Sequence, residues 1–277
     1  MGSQTALEYE LIEGLYLGQV LNRAARLPDR MQSAGHALDG VTNPAQTWLP
    51  FHEPTRLNAA ASSLPPAQPP QEPPSGPPGS PEQIAATLAN QGWCVTDAFV
   101  PPLLVSQLRH EAREHWDAGA FRRAGVGRGG DLELRPKVRT DRVLWLESAA
   151  LSGAQQCFWE RLEGVRLAVN RRIFLGLHEL EAHFAVYPAG AYYRKHLDQF
   201  RGIGRRQLSC VLYLNEDWQP ADGGALRIYT DATDTAIAAD VLPVGGRLVA
   251  FLSARFLHEV LPARRERFSI SGWFRSR

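Results

Sequence analysis

A proline-rich stretch divides this chain of 277 residues into two parts that differ in their capacity to fold. Residues 65–81, PPAQPPQEPPSGPPGSP, contain nine prolines in seventeen positions. Because proline lacks a backbone N–H and fixes φ, this stretch cannot form a helix interior or a central strand. We expect an extended linker of the polyproline type. An SH3-type ligand is the less favoured alternative, since no arginine lies close to the PxxP repeats.

Residues 1–64 precede the linker and show no pattern of a domain core. Within residues 5–27, leucines recur near helical spacing and predict one short amphipathic helix, which two glycines weaken. No sustained period follows Pro28, so the segment cannot bury a domain-sized core by itself. We expect a docking arm or a largely disordered tail.

The composition of the whole chain argues against several classes of protein. Hydrophobic residues make up 44% and charged residues 21%, as in ordinary globular proteins, and the net charge of +1 gives no basic field for nucleic acid. No apolar run approaches the ~18 residues of a membrane span, and no signal peptide is visible. Three widely spaced cysteines do not make a disulfide framework. We expect a cytoplasmic protein without nucleic-acid or membrane partners; the sequence leaves the oligomeric state open.

Residues 82–277 are long enough for one compact domain. Two helices are predicted first, one ended by Gly92 and one by Gly119, with the strand WCVTDAF between them. From Glu179 onward, short alternating segments separated by turn signals predict an antiparallel sandwich or barrel. The expected fold class is α+β, a jelly-roll barrel braced by N-terminal helices.

Four residues on the predicted strands suggest an iron site. His196 and Asp198 stand at i and i+2, which on a strand directs an imidazole and a carboxylate to one face. His258 and Arg267 follow, on two strands that we expect to form one hairpin. Two histidines and one carboxylate make the facial triad that holds Fe(II) and leaves coordination positions open. The arginine provides a two-pronged partner for the distal carboxylate of a 2-oxo acid.

Several segments make the chain resemble a known family. GWCVTDAF, VRTDRVLWLE, YLNEDW followed by GGALRIY, and HEVLPA with RFSISGWF are similar to the prolyl 4-hydroxylase branch of the 2-oxoglutarate- and Fe(II)-dependent dioxygenases. The similarity is greatest to the hypoxia-inducible-factor prolyl hydroxylases and their bacterial relatives, and it covers residues 82–277. The resemblance implies a double-stranded β-helix that uses Fe(II), 2-oxoglutarate and O2, with ascorbate as a candidate further cofactor.

The resemblance also implies roles for individual residues. The metal ligands of the family correspond to His196, Asp198 and His258. The residues that bind the cosubstrate correspond to Arg267, Tyr213 and Tyr187, and the strand face shared with Arg267 adds Ser271. The residues beside the peptide substrate correspond to Arg139, Asp141 and Arg206, with Arg205 as a competitor for the last position. His183 departs from the family pattern, and we expect a histidine hydrogen-bonded in the barrel wall rather than a fourth polar group near iron.

The function that the resemblance implies is hydroxylation of a prolyl residue in a protein, with succinate and CO2 as co-products. Asp198 favours hydroxylation, since related halogenases lack this carboxylate. Two alternatives remain: hydroxylation of a free amino acid or small metabolite by the same iron centre, and a binding or sensing protein that barely turns over.

Overall fold

The computed structural model describes residues 77–125, 134–199, 205–230 and 236–277. The predictions for residues 1–64 and for most of the proline-rich linker therefore lie outside the described residues. Within the described ranges, no helix combines the length and the apolar character that crossing a membrane requires.

Three helices precede most of the strands: α1 (Pro81–Gln91), α2 (Pro102–Asp117) and α3 (Gly153–Ile173). The first two confirm the sequence prediction. The Ser80 side chain accepts a hydrogen bond from the Gln83 N–H at the start of α1, and Gly92 ends the helix at φ 84°. The helix α3 was not predicted from the sequence, although Ser152 and Gln155 form a capping box at its start.

Eleven strands occur in the described residues, and all the paired strands are antiparallel. They are β1 (Trp93–Thr96), β2 (Arg122–Arg123), β3 (Arg142–Trp145), β4 (Glu179–Tyr187), β5 (Tyr193–His196), β6 (Arg206–Tyr213), β7 (Leu226–Tyr229), β8 (Ile237–Val241), β9 (Leu248–Leu252), β10 (His258–Val260) and β11 (Arg267–Arg275). A seven-stranded sheet has the order β1-β9-β6-β11-β4-β3-β2, and a four-stranded sheet has the order β5-β10-β7-β8. The short strands β2, β3 and β8 were not predicted.

The predicted hairpin of His258 and Arg267 is wrong. His258 begins β10 in the four-stranded sheet, whereas Arg267 begins β11 in the seven-stranded sheet. The connection between them therefore crosses from one sheet to the other. A second correction concerns Asp198, which lies two residues beyond the end of β5 and not on that strand.

The core has two layers, one on each side of the seven-stranded sheet. On one side, alternate residues of β11 (Phe268, Ile270 and Phe274) pack with buried residues of the three helices. On the other side, residues of both sheets share a second cluster, which includes Tyr187, Tyr213, Phe251, Leu226 and Val260. The architecture is thus helices, large sheet and small sheet, which confirms α+β with antiparallel sheets, and the space between the sheets contains the site.

Candidate functional site

His196, Asp198 and His258 converge between the two sheets. His196 ends β5 and His258 begins β10, and the two are direct cross-strand partners. The Nε2 atoms of His196 and His258 lie 3.5 Å and 3.6 Å from the two Asp198 carboxylate oxygens. One potential ligand atom from each residue lies within 4.8 Å of the others, and no other such cluster occurs among the described residues. The structure brings together all three predicted ligands.

Hydrogen bonds fix the orientation of these three side chains. The Nδ1–H groups of His196 and His258 donate to the carbonyl oxygens of Arg194 (2.7 Å) and Phe256 (3.1 Å). These bonds to Nδ1 leave Nε2 of both histidines as the atom that faces Asp198 and that would bind a metal. Ser209, which the sequence analysis did not single out, donates its hydroxyl to Asp198 Oδ2 at 2.7 Å.

Burial and charge set the protonation of the cluster. Burial, followed by the repulsion of His258, lowers the pKa of His196 to about 4. Burial opposes ionisation of Asp198, but the two histidines outweigh it and hold the pKa of that carboxyl well below its usual range. Burial favours the neutral form of His258, but Asp198 outweighs it and raises the pKa of that imidazole. Asp198 is thus ionised and His196 neutral at neutral pH, and a divalent cation bound here would compete with a proton for His258.

Arg267 is a buried cation without a carboxylate. Its side chain begins β11 and is 1% exposed, yet it forms no ion pair with any of the described residues. Its Nε donates to the Gly224 carbonyl oxygen at 3.1 Å and its Nη1 reaches Ser269 Oγ at 3.5 Å. Because a buried charge is costly without a counter-charge, the guanidinium calls for an anionic ligand.

Two tyrosines surround this guanidinium. The Arg267 Cζ atom lies 4.9 Å from the ring centroids of both Tyr187 and Tyr213. The Tyr213 hydroxyl is buried and has no hydrogen-bond partner of acceptable geometry in the described part of the chain. A buried hydroxyl next to a guanidinium that lacks a counter-charge provides two kinds of donor for one carboxylate. The residues present therefore fit both a divalent metal and a carboxylate ligand.

A cavity of about 420 Å³ joins these groups. Its walls include the three clustered residues together with Tyr187, Arg139, Arg206, Arg267 and Ser271. Tyr213 lies against Arg267 and Asp141 is bonded to Arg139, but neither is part of the wall. The structure thus places the three predicted metal ligands and most of the other predicted site residues around one space.

Of the predicted substrate pair, Arg139 is partly buried and Asp141 is buried. Arg139 donates to both carboxylate oxygens of Asp141 at 2.8 Å and 2.6 Å, and Asp141 is 1% exposed. Arg139 also lies over the ring of Tyr193 at 4.1 Å, and that ring stacks on His196 with centroids 3.5 Å apart. The pair therefore supports a metal-cluster residue through Tyr193, which the sequence analysis did not single out.

Arg206 and not Arg205 faces the cavity. Arg206 pairs with Glu181 at 2.7 Å and lies over the Trp273 ring at 3.7 Å. Arg205 is exposed and is not part of the cavity wall. The structure thus places Arg206 and not Arg205 at the cavity wall, and a substrate role for Arg206 stays a prediction.

His183 lies in the cavity wall between two tryptophans. Its ring is 4.9 Å from Trp145 and 5.3 Å from Trp273, and its Nδ1 contacts the Phe184 carbonyl oxygen at 3.2 Å. Burial, the main cause, lowers its pKa to about 4, so the ring is neutral. Trp145 is 51% exposed.

The chain matches known proteins over this same region. The model of the 2OG-Fe(II) oxygenase superfamily matches residues 182–275. Human Egl nine homolog 1 is 30% identical over 202 residues, which cover 70% of this chain and 46% of the human protein. The Caenorhabditis elegans hypoxia-inducible factor prolyl hydroxylase is 29% identical over 211 residues, covering 70% of this chain and 28% of the nematode protein. The chain therefore spans about half or less of these two relatives.

Two solved structures are similar to the fold. A prolyl-4-hydroxylase from Pseudomonas putida is 42% identical with a TM-score of 0.63, and the match covers 71% of this chain and 99% of that one. A prolyl hydroxylase from Trichoplax adhaerens, solved with a hypoxia-inducible-factor peptide fragment, is 21% identical with a TM-score of 0.62 and 71% and 89% coverage. The first structure is similar to this chain in both sequence and fold, whereas the second is evidence for the fold alone.

Proposed function

This chain belongs to the 2OG-Fe(II) oxygenase superfamily, and on that premise we propose that it hydroxylates a prolyl residue in a protein, consuming 2-oxoglutarate and O2 and releasing succinate and CO2. The observation that carries this proposal is the unpaired, buried Arg267 in the wall of the cavity that holds the His-Asp-His cluster. We also propose that the two sheets form the double-stranded β-helix of the family.

One set of residues would bind the metal and a second set would bind the cosubstrate. His196, Asp198 and His258 would hold Fe(II), which when bound supplies the redox chemistry that moves one oxygen atom from O2 to a C–H bond. Arg267 and Tyr213 would bind the far carboxylate of 2-oxoglutarate through charge-assisted hydrogen bonds. The low exposure of both side chains keeps water from competing for that carboxylate.

The remaining predicted residues would shape the pocket. Tyr187 lies against Arg267. Ser271 lies in the cavity wall, two residues after Ser269 on β11. Asp141 would fix the position of the Arg139 side chain through its hydrogen bonds. Arg139 would in turn hold the ring of Tyr193 in place, and that ring stacks on His196. Arg206 would contact the substrate at the wall where it covers Trp273.

The proline substrate is supported by the relatives. The structure of 42% identity is of a prolyl-4-hydroxylase, and the two protein relatives are a hypoxia-inducible factor prolyl hydroxylase and an Egl nine homolog. A protein or peptide partner follows from this proposal. A free amino acid remains the alternative, because the cavity of about 420 Å³ also accommodates a small molecule.

We propose the division that the sequence predicts, with residues 1–64 as an arm, 65–81 as a linker and 82–277 as the oxygenase domain. The N-cap of α1 at Ser80 supports a domain boundary just before that helix. The three cysteines are all unpaired, which supports the reducing cytoplasm that the sequence predicts.

Succinate formation tests the function. We expect succinate that requires Fe(II), 2-oxoglutarate and O2 together, and that a proline-containing peptide increases more than free L-proline does. Mass spectrometry should find one added oxygen on the prolyl residue, and omission of ascorbate tests its part. Stimulation by free L-proline alone would support the metabolite alternative. The absence of succinate under every condition would refute the proposal that this chain is an active oxygenase.

A further inference from the structure

Three arginines at the outer end of the large sheet form a patch that has no acidic partner among the described residues. Arg122 and Arg123 make up β2, Arg142 begins β3, and all three are exposed. None of them forms an ion pair with the described residues: Arg122 donates to the Gly119 carbonyl oxygen at 3.3 Å, and Arg142 lies 5.8 Å from the Trp116 ring centroid. We call these three residues the arginine patch.

The arrangement of the patch is electrostatically unfavourable by itself. Arg123 and Arg142 are direct cross-strand partners, and like charges in that position repel and destabilise the strand pair. The two arginines nearer the metal cluster differ, since Arg139 is paired with Asp141 and Arg206 with Glu181. Apart from the buried Arg267, the described arginines of the cavity wall that lack an acidic partner therefore belong to the patch.

The patch lies where a substrate would enter. Arg122 and Arg123 are part of the wall of the cavity that holds the metal cluster. Arg123 and Arg142 also line a neighbouring cavity of about 270 Å³, together with Pro136 and Pro188. An extended segment that places one residue at the metal cluster and continues into the second cavity would pass Arg123.

The rest of the wall leaves this charge unbalanced. Among the described residues, the wall of the larger cavity contains two acidic residues, Asp198 at the metal cluster and Glu147. The same wall contains two arginines of the patch, so that one negative charge outside the metal cluster faces two positive charges. Glu147 is exposed and forms no ion pair with an arginine of the patch. Counted over the part of the chain that the structure describes, the rim thus keeps a net positive charge that an anionic group on the substrate can neutralise.

We infer that the arginine patch binds acidic side chains of the substrate, so that the preferred substrate is an acidic peptide segment around the target proline. This inference rests on the proposed prolyl hydroxylase function and specifies its substrate class. An acidic peptide fits better than RNA, because three arginines on a chain of net charge +1 provide no extended basic field.

A pair of peptides tests the inference. The first is a short synthetic peptide with one proline flanked by glutamates, and the second has glutamine in place of every glutamate. We expect the glutamate peptide to have a kcat/KM for stimulated succinate formation about threefold or more above that of the glutamine peptide, the effect of one or two exposed ion pairs. The preference should disappear in 1 M salt, where the screening length is about 3 Å.

Charge reversal at the patch supplies the decisive comparison. Arg123→Glu should abolish the preference for glutamate and favour a third peptide with lysine at the same positions. Arg172→Glu, which makes the same charge change on an exposed arginine at the end of α3, is the matched control and should keep the wild-type preference. Fluorescence anisotropy of the labelled peptides gives binding separately from turnover and should show the same order.

The outcomes separate the inference from the function on which it rests. If both peptides stimulate equally, or if Arg123→Glu keeps the glutamate preference, the acidic-substrate inference is refuted while the hydroxylase proposal stands. If neither peptide stimulates succinate formation, the prolyl hydroxylase proposal fails and takes the inference with it. If a single-stranded RNA oligonucleotide displaces the glutamate peptide at an equal concentration, the patch is a nucleic-acid site and the inference is wrong.

Discussion

Replacement of Arg267 should weaken 2-oxoglutarate binding by an amount that the structure sets. The Nε of Arg267 is occupied by the Gly224 carbonyl oxygen, and its contact with Ser269 is long at 3.5 Å, so the outer nitrogens remain for a ligand carboxylate. Because the side chain is 1% exposed, water screens the interaction little. Arg267→Met should cost ~2–5 kcal/mol, which weakens binding by about thirty-fold or more.

The conservative change should have a smaller effect. Arg267→Lys keeps the charge but loses the planar fork, and so one of two charge-assisted hydrogen bonds, each worth about 1.5–3 kcal/mol. We expect 2-oxoglutarate binding to weaken by about tenfold or more from the loss of one such bond. Neither variant should lose Fe(II) affinity, since Arg267 lies outside the metal cluster.

Thermal unfolding under anaerobic conditions measures this loss without turnover. In the wild type with Fe(II), 2-oxoglutarate at 100 times its Kd should stabilise the protein by ~2.7 kcal/mol, and thirty-fold weaker binding reduces this to ~0.9 kcal/mol. For a domain of this size, the corresponding rise in Tm falls from about 5–10 °C to about 2–4 °C.

A surface arginine provides the control for this experiment. Arg227 forms a two-pronged pair with Asp240 away from the cavity, at 2.8 Å for both contacts. Arg227→Met should change the free energy of unfolding by ~0–1 kcal/mol and leave the 2-oxoglutarate shift intact. A full ligand-induced rise in Tm in Arg267→Met would mean that the cosubstrate is held elsewhere, and the reasoning from the unpaired guanidinium would be refuted.

Four further changes test other parts of the structure. Asp198→Ala should abolish turnover and weaken Fe(II) binding by about tenfold or more, measured by metal titration, because it removes one of three protein ligands; unchanged metal affinity would disprove the cluster assignment. Ser152→Ala should lower the free energy of unfolding by about 1 kcal/mol in chemical denaturation, since it removes the capping box of α3, whereas the exposed Ser148→Ala should not. In the native protein, Ellman's reagent should modify one thiol, the exposed Cys157, because the other two are buried; modification of all three before unfolding would contradict that burial. A chain that begins at Pro77 should fold and consume 2-oxoglutarate, as measured by circular dichroism and succinate assay, and an insoluble product would show that the domain needs the preceding residues.

The sequence was informative where chemistry and local spacing coincide. The three clustered residues were predictable because two histidines and an aspartate at these spacings have one common use, and their clustering does not depend on Asp198 being on a strand. The alternation along β11 was also readable, because Phe268 and Ile270 face the helices while Arg267 faces the cavity.

The errors concern information that local patterns do not contain. A period of two says which face a residue occupies but not which sheet its strand joins, so the crossing between His258 and Arg267 was read as a hairpin. Ser209 has no sequence signal, because its role depends on where Asp198 lies after folding. By contrast, α3 had a visible start in Ser152 and Gln155, and a search for capping boxes would have found it.

The division of the site between two sheets gives the cosubstrate a mechanical role. His196 and His258 belong to the four-stranded sheet, whereas Arg267 and Tyr213 belong to the seven-stranded sheet. A molecule that chelates the metal at one end and meets the guanidinium at the other is a removable cross-link between the two sheets. We expect a filled site to restrict the separation of the two sheets relative to an empty one.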